Sequence, residues 1–274
     1  MSVVKVITAL FAAVVATTTI ATAPSTAAPE PARASTSDAG LAYARTQTVR
    51  HYLYPTSRTI KSGETARFSG TVTRGRRSAK VLFQHYSSGR YRTIGTGYIG
   101  STGKFRVSGR LTSPGTRKVR MVIPGNSYWK TYYSYPSTIR VYRWIYLGDM
   151  DWVAYDSFST GASRVNGVYY AHSLVGGGYW YDDGYVQVDL RRRCTLFNAK
   201  AGQSDTSERT DGVVQMETYI DGSRRSADQI RFGQSVNRTV SVGGGLRLSV
   251  SFDKLTDVES YEPVWGDAKV LCSF

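Results

Sequence analysis

The sequence predicts an all-β protein that contains two β-sandwiches. Apolar and polar residues alternate over many short segments, as expected for strands that bury one face. Turn residues such as Gly, Pro, Asn and Ser recur roughly every ten residues in the first half, and no long segment has helical periodicity. The 274 residues are enough for two domains, and from about residue 144 the turns become rich in glycine, which divides the strand candidates into two groups.

Residues 1–27 predict a secretory signal peptide. Lys5 precedes an apolar stretch from Ile7 to Ala16, and small residues follow up to a predicted cleavage site after Ala27. This stretch is too short for a membrane anchor, and no other transmembrane segment is predicted. We therefore expect a secreted, extracellular protein, with association to the cell wall as a further option. Residues 28–44, rich in Ala, Pro, Ser and Thr, predict a disordered linker.

The two cysteines of the chain, Cys194 and Cys272, each lie in an apolar segment of the second half. Disulfides form in the extracellular compartment that the signal peptide predicts. The rival interpretation, free or metal-binding thiols, has little support because there is no CxxC pair and the three histidines are scattered. We expect one disulfide that ties the end of the chain to the middle of the second domain.

Charge is distributed unevenly along the chain. Residues 42–143 contain 20 lysines and arginines and a single acidic residue, Glu64, whereas residues 144–274 contain 13 basic and 17 acidic residues. The formal net charge of +15 therefore originates in the first half. Such asymmetry is informative about partners rather than about the fold.

Residues 45–143 predict the first sandwich. About seven short alternating segments separated by turn signals are typical of this architecture. The succession of segments resembles the bacterial extracellular immunoglobulin-like modules, which recur as spacers and adhesion domains in secreted and surface proteins of actinobacteria. The segments that carry the resemblance are Thr65–Thr73, Val81–Gln84, Tyr91–Ile94, Gly103–Val107 and Val119–Asn126. The resemblance implies an immunoglobulin-like fold and specifies no ligand.

Many basic residues of this half recur at a spacing of two, which on a strand places each pair on one face, opposite the core positions. One interpretation is a solvated, charged face. The other is a surface that binds a polyanion such as teichoic acid, anionic lipid headgroups or acidic polysaccharide; tyrosines between the arginines also suit nucleic acid, but export argues against that partner. The predicted polyanion-binding residues are Arg74, Arg76, Arg77, Lys80, Arg90, Arg92, Lys104, Arg106, Lys118 and Arg120.

Residues 144–274 predict the second sandwich, of jelly-roll type, because short turns link most of its strand candidates. The final strand is expected to direct Ala268 and Val270 to one face and Lys269 and Leu271 to the other. The strand candidates are Gly167–Leu174, Tyr185–Leu190, Thr195–Ala201, Val213–Ile220, Gln229–Phe232, Arg238–Val242, Leu246–Phe252 and Ala268–Cys272.

A second resemblance covers nearly all of this half. Its motifs follow one another in the order of the NPCBM type of carbohydrate-binding module, which is appended to many secreted glycoside hydrolases. The resemblance implies a galactose-binding-like jelly roll that binds sugar without catalysis. Where relatives often carry two adjacent acids, this chain offers Asp205. The matching segments are Val165–Leu174, Val188–Leu190, Phe197–Ala199, Tyr219–Gly222, Phe232–Ser235, Leu246–Leu248 and Val264–Ala268.

Residue chemistry predicts a sugar site in the same half. Aromatic rings contact the C–H face of a sugar, and planar polar side chains reach its hydroxyls; the predicted loop Tyr179–Asp183 supplies both. Core and hydrogen-bonded interpretations remain open for Trp265 and His172, respectively. Adjacent acids in the loop raise the alternative of a calcium site, which no EF-hand-type run supports. The predicted carbohydrate-binding residues are Tyr170, His172, Trp180, Tyr181, Asp182, Asp205 and Trp265.

No catalytic signature is present: the chain lacks GxSxG, HExxH, Walker-type and GxGxxG motifs. We therefore expect no enzyme activity and no cofactor or metal. The favoured hypothesis is a secreted, non-catalytic protein that binds a glycan or cell-wall polysaccharide, with the basic sandwich docking on an anionic surface. The alternative is a structural or adhesion protein of the cell envelope whose jelly-roll domain binds protein instead of sugar.

Overall fold

The computed structural model of the chain describes residues 44–177, 182–256 and 261–274. The predicted signal peptide and nearly all of the predicted linker lie outside these ranges. The described residues form strands β1 to β19, a single 3₁₀ turn at Leu147–Asp149 and no α-helix, so the all-β class is confirmed. Within the same ranges, no helix has the length and apolar character needed to cross a membrane.

Nine strands form the first half of the described chain. They are β1 (Thr48–Tyr54), β2 (Thr59–Lys61), β3 (Thr65–Arg74), β4 (Lys80–Ser87), β5 (Arg90–Tyr98), β6 (Lys104–Arg110), β7 (Gly115–Ile123), β8 (Tyr132–Tyr133) and β9 (Ser137–Tyr146). Ten strands follow the 3₁₀ turn. They are β10 (Trp152–Asp156), β11 (Phe158–Val165), β12 (Val168–Gly176), β13 (Asp183–Asp189), β14 (Cys194–Gln203), β15 (Val213–Ile220), β16 (Ser223–Arg231), β17 (Ser235–Ser241), β18 (Arg247–Lys254) and β19 (Pro263–Cys272).

The first sandwich packs the antiparallel sheet β1-β3-β6 against a second sheet that contains β2, β9, β7, β4 and β5. Its core is formed by the apolar alternate positions of both sheets, as the sequence pattern predicts. At its centre, the rings of Phe68 and Phe83 meet edge to face with centroids 5.2 Å apart. The opposite face of each strand points away from this core and carries charged and aromatic residues.

The second sandwich packs the sheet β10-β13-β18-β15-β16 against strands β11, β12, β19, β14 and β17. All pairings within these sheets are antiparallel. A second hydrophobic core, separate from the first, fills the space between them and includes Leu174, Phe197, Phe252 and Trp265. Two antiparallel sheets around one core correspond to the jelly-roll sandwich that the sequence predicts.

The final strand closes this sandwich as expected. Cys194 and Cys272 are directly opposite in the β14–β19 register and form the predicted disulfide across a sequence separation of 78 residues. Ala268 and Val270 are buried in the second core, whereas Lys269 lies on the other side of the strand. The predicted alternation of β19 is therefore confirmed.

Strand β9 belongs to both sandwiches, so one sheet continues from the first into the second. Its beginning pairs with β7, and its end pairs with β19 from Tyr146↔Lys269 to Arg143↔Cys272. Ile139 packs in the first core and Ile145 packs against the second, so both cores lie on the same side of β9. The predicted boundary at residues 143 and 144 stays a prediction; the structure adds that a strand crosses it.

Candidate functional site

An exposed row of side chains lies on the outer side of the continuous sheet, where β9 meets β12 and β19. Trp144 and Tyr146 of β9, His172 of β12 and Lys269 of β19 form this row, which we name the outer aromatic face. The rings of Tyr146 and His172 stack at a centroid distance of 3.9 Å and an interplanar angle of 16°. The Lys269 Nζ atom lies 5.7 Å from the ring centroids of both Trp144 and Tyr146. A cation therefore sits between two aromatic rings on an exposed surface.

A β-bulge in β19 brings these side chains together. Before the bulge, β19 pairs with β12 at Leu174↔Trp265, and after it the same edge pairs with β9. Asp267 lies in the bulge with a positive φ of 46°, and the register of β14 against β19 shifts at this point. The Asp267 Oδ1 atom accepts the backbone N–H of His172 at 3.1 Å, which holds β12 beside the end of β9.

Tyr170 borders the outer aromatic face and packs directly on Gly266. A Cβ atom at position 266 would lie 2.8 Å from the Tyr170 ring, so only glycine allows this approach. Burial, followed by the nearby carboxylate of Asp267, raises the pKa of the Tyr170 phenol. The hydroxyl therefore stays protonated at neutral pH and remains able to donate a hydrogen bond.

Polar side chains continue the face onto β14. Asn198 lies opposite Lys269 and Lys200 lies opposite Gly266 in the β14–β19 register, which places both on the outer side. The Asn198 Nδ2 group donates to the Thr239 Oγ1 atom at 2.9 Å, which fixes the amide plane. The arrangement joins aromatic rings to amide and ammonium groups, a combination suited to the C–H faces and hydroxyl groups of a sugar.

Of the predicted carbohydrate-binding residues that the structure describes, only Tyr170 and His172 come together here. Asp182 contacts Lys254, at 3.0 Å between carboxylate and ammonium, and its carbonyl accepts the Tyr261 hydroxyl, so it belongs to a different part of the sandwich. Trp180 and Tyr181 lie outside the described residues. The sequence prediction missed Trp144 and Tyr146, although their spacing of two on either side of Ile145 is the signal of an outward-facing aromatic pair on a strand.

The direct sugar-binding role predicted for Asp205 stays a prediction, and the structure shows a further role for its carboxylate. Its two carboxylate oxygens accept the backbone N–H groups of Asn166 and Gly167, both at 2.7 Å, and so hold the turn between β11 and β12. The Asn166 side chain in turn donates to the Ser235 hydroxyl at 3.0 Å. Asp205 therefore stabilises the turn of the β11–β12 hairpin.

The sugar-binding role predicted for Trp265 needs correction. Its side chain is fully buried, at 0% exposure, and it meets Phe197 edge to face with centroids 5.9 Å apart. A ring without exposed surface cannot stack on a ligand, so the core interpretation of Trp265 fits the structure.

The predicted polyanion-binding residues do not share one surface. Lys104 and Arg106 lie on the outer side of the sheet β1-β3-β6, whereas Lys118 and Arg120 lie on the outer side of the opposite sheet. Arg120 is held between the rings of Tyr91 and Tyr133, with its guanidinium carbon 3.7 and 4.8 Å from their centroids. The remaining predicted residues are exposed at the end of β3, on the turn that follows it, at the start of β4 and along β5: Arg74, Arg76, Arg77, Lys80, Arg90 and Arg92.

A polar network occupies the outer side of the five-stranded sheet in the second sandwich. Glu217 is 3% exposed and accepts hydrogen bonds from the Tyr219 hydroxyl, from Arg224 at 2.7 Å and from Gln215 at 2.9 Å. Burial by itself raises the pKa of Glu217, but these hydrogen bonds and the charge of Arg224 outweigh burial and hold the pKa below its ordinary value.

Glu217→Gln is expected to lower the free energy of unfolding by about 1–2 kcal/mol at pH 7, because the network loses its negative charge and one of its two acceptor oxygens. A carboxyl whose pKa is depressed in the folded state stabilises above its unfolded pKa, and that contribution is lost as the pH falls through the folded value. Urea unfolding of both proteins should therefore show a gap at pH 7 that narrows below pH 4.5, the ordinary pKa of Glu. The exposed Glu208, changed to Gln, is the matched control. A gap of constant size across pH would contradict the assignment.

Comparison with known proteins gives weak matches. No family model matches the chain, and no curated protein matches it. A solved structure of the CBM51-2 and INT domains from Clostridium perfringens ZmpB is 16% identical with a TM-score of 0.39, covering 58% of this chain and 38% of that chain. The chain therefore spans well under half the length of that protein.

A solved structure of CBM51 from Clostridium perfringens GH95 in complex with methyl-galactose is 16% identical with a TM-score of 0.40, covering 46% of this chain and 99% of that chain. The secreted serine protease VesC from Vibrio cholerae is 9% identical with a TM-score of 0.32, covering 82% of this chain and 50% of that chain. Similarity at this level does not place the chain in a family.

Proposed function

We propose that this protein is a secreted, non-catalytic carbohydrate-binding protein whose second sandwich holds a glycan on the outer aromatic face. The observation that carries the proposal is the exposed cluster of Trp144, Tyr146 and His172 around Lys269. In this proposal the second sandwich is of the NPCBM type that its sequence motifs resemble, and the predicted signal peptide delivers it outside the cell.

The geometry supports a flat glycan rather than a small molecule in a deep pocket. Trp144 is 38% exposed, and the stacked pair of Tyr146 and His172 continues the aromatic surface along the strand direction. An exposed tryptophan beside further aromatic rings is typical of an interaction site. Lys269 and the Tyr170 hydroxyl offer hydrogen-bond donors at the edges of this surface.

The aromatic rings of the outer aromatic face are held in place before any ligand binds, which also supports the proposal. The backbone hydrogen bond from His172 to Asp267 and the packing of Tyr170 on Gly266 fix the strands that carry the rings. A ligand that stacks on rings already held in place does not have to order them, so less binding free energy is lost on association.

Replacing Trp144 and His172 together by alanine is expected to weaken glycan binding about tenfold or more, because each lost stacking surface contributes about 0.5–1.5 kcal/mol. Binding of the full chain to a glycan panel and to purified wall polysaccharide, followed by titration with the best ligand, measures the effect. Salt should change this affinity little, since the interaction depends mainly on stacking.

Tyr169→Ala is the matched control, because Tyr169 is 58% exposed and lies on β12 next to Tyr170 without belonging to the outer aromatic face. Its affinity should stay within about twofold of the unmodified protein. Equal losses in both variants, or no loss in the double variant, would contradict the proposed site.

A further inference from the structure

A shallow groove of about 630 Å³ crosses the outer side of the sheet β1-β3-β6 in the first sandwich. It lies within the range of roughly 300–1,000 Å³ that is usual for ligand sites. The residues that define it are Tyr52, Ser69, Thr71, Tyr98, Lys104 and Arg106, and we name it the tyrosine groove.

Strand register explains the shape of the tyrosine groove. Ser69 lies between Tyr52 of β1 and Arg106 of β6, so a small side chain forms the floor between two larger ones. Tyr98 of β5 forms the far wall. Gly97 lets β5 approach β6 this closely, because a Cβ atom there would collide with the backbone carbonyl of Arg106. Tyr52 and Tyr98 thus border the groove from opposite sides.

The rings of the two walls are exposed and the surface between them is cationic. Tyr52 is 65% exposed and Tyr98 is 59% exposed. The next register row adds Arg50 of β1 opposite Thr71, which lies opposite Lys104. The sequences of β1, β3 and β6 contain no acidic residue, so no anion on these strands neutralises the groove.

We propose that the tyrosine groove binds an acidic polysaccharide, with sugar rings between Tyr52 and Tyr98 and carboxylates paired with Lys104 and Arg106. Stacking and charge alone also suit nucleic acid, but single-stranded nucleic acid is bound by successive bases stacked on a platform. Here the two rings stand on opposite sides of the groove with Lys104 and Arg106 between them, which fits one chain of acidic sugar rings. This site lies on the first sandwich and is independent of the outer aromatic face.

Titration of the full chain with polygalacturonate tests the proposal. Lys104→Gln with Arg106→Gln is expected to weaken binding about tenfold, because both cations that pair with the carboxylates are removed. Tyr52→Ala with Tyr98→Ala is expected to have an effect of similar size through lost stacking. Methyl-esterified polygalacturonate, which keeps the sugar and loses the charge, should bind at least about tenfold more weakly, and added salt should weaken binding of the charged form.

Arg90→Gln with Arg92→Gln is the matched control, because it removes the same charge from exposed positions at the far end of β5. A loss below about twofold in this variant supports a site in the tyrosine groove. Equal losses in the two charge variants would overturn the proposal, since binding would then follow net charge alone. Absence of binding, or tighter binding of oligo-dT than of polygalacturonate, would also overturn it.

Discussion

Trp265→Ala is expected to destabilise the second sandwich by about 4 kcal/mol, the largest effect of any single substitution considered. The Trp265 side chain is fully buried in the second core, between β12 and β14, where Leu174 and Ala201 are its strand neighbours. Truncation removes the contact with Phe197 and leaves a cavity that a closed sandwich cannot collapse to fill. Urea unfolding of the purified variant measures the loss.

Trp265→Phe is the informative control. The Trp265 Nε1 atom is buried and has no hydrogen-bond partner among the described residues, so part of the gain from burying the ring is offset by an unsatisfied donor. Phenylalanine removes that donor and keeps most of the ring, and we expect a cost below about 2 kcal/mol. A loss for Trp265→Phe as large as that for Trp265→Ala would contradict this account of the core.

Removal of the Cys194–Cys272 disulfide is expected to cost about 3 kcal/mol. The bond closes a separation of 78 residues, for which the chain-entropy model gives an upper value of about 4.5 kcal/mol. The double variant Cys194→Ala with Cys272→Ala avoids placing serine hydroxyls at buried positions. Because β19 is also paired with β14 and β9, the variant should fold and unfold cooperatively at a lower urea concentration.

The unmodified protein under a reducing agent is the control for this pair. Its free energy of unfolding should fall to that of the double alanine variant, and the variant itself should not respond to the reducing agent. An unmodified protein that loses no stability, although thiol titration shows both cysteines reduced, would contradict the expected contribution of the disulfide.

Residue patterns within short segments of the chain predicted several features of the structure. The alternation of residues in β19 predicted which of its side chains face the core. Cys194 and Cys272, each in an apolar segment, predicted the disulfide. The spacing of Lys104 and Arg106 placed both on one exposed face of β6. The two face assignments need only period-two geometry on a single strand, whereas the disulfide was predicted from the presence of two cysteines in a chain with a predicted export signal.

Elements that depend on partners distant in the chain escaped prediction. Strands β10 and β11 were not predicted, and β11 contains Gly161 and Ala162, residue types that are depleted in strands. The role of Asp205 depends on its approach to a turn 38 residues away. The outer aromatic face could not be predicted without knowing the bulge at Asp267. Tyr146 and His172 come together only because β19 changes its pairing partner from β12 to β9 at this point.

The distribution of the basic residues illustrates the same limit. The sequence predicted pairs of cations on strand faces, but strand order decides which pairs share a surface. Lys104 and Arg106 meet Tyr52 and Tyr98, whereas Arg120 is placed between two tyrosines of the opposite sheet. Sheet topology therefore places Lys104 and Arg106 in the tyrosine groove, whereas Arg120, which already contacts two tyrosine rings, lies on the opposite sheet.

The five tryptophan indole N–H signals of the protein offer the most direct test of the proposed glycan site. Each signal is assigned by a single replacement with phenylalanine and followed by NMR as the best ligand from the glycan panel is added. We predict a saturable shift of the Trp144 signal, with the signal of the buried Trp265 unchanged. A saturable shift confined to another tryptophan, such as Trp180, with none at Trp144, would show that the sugar binds elsewhere.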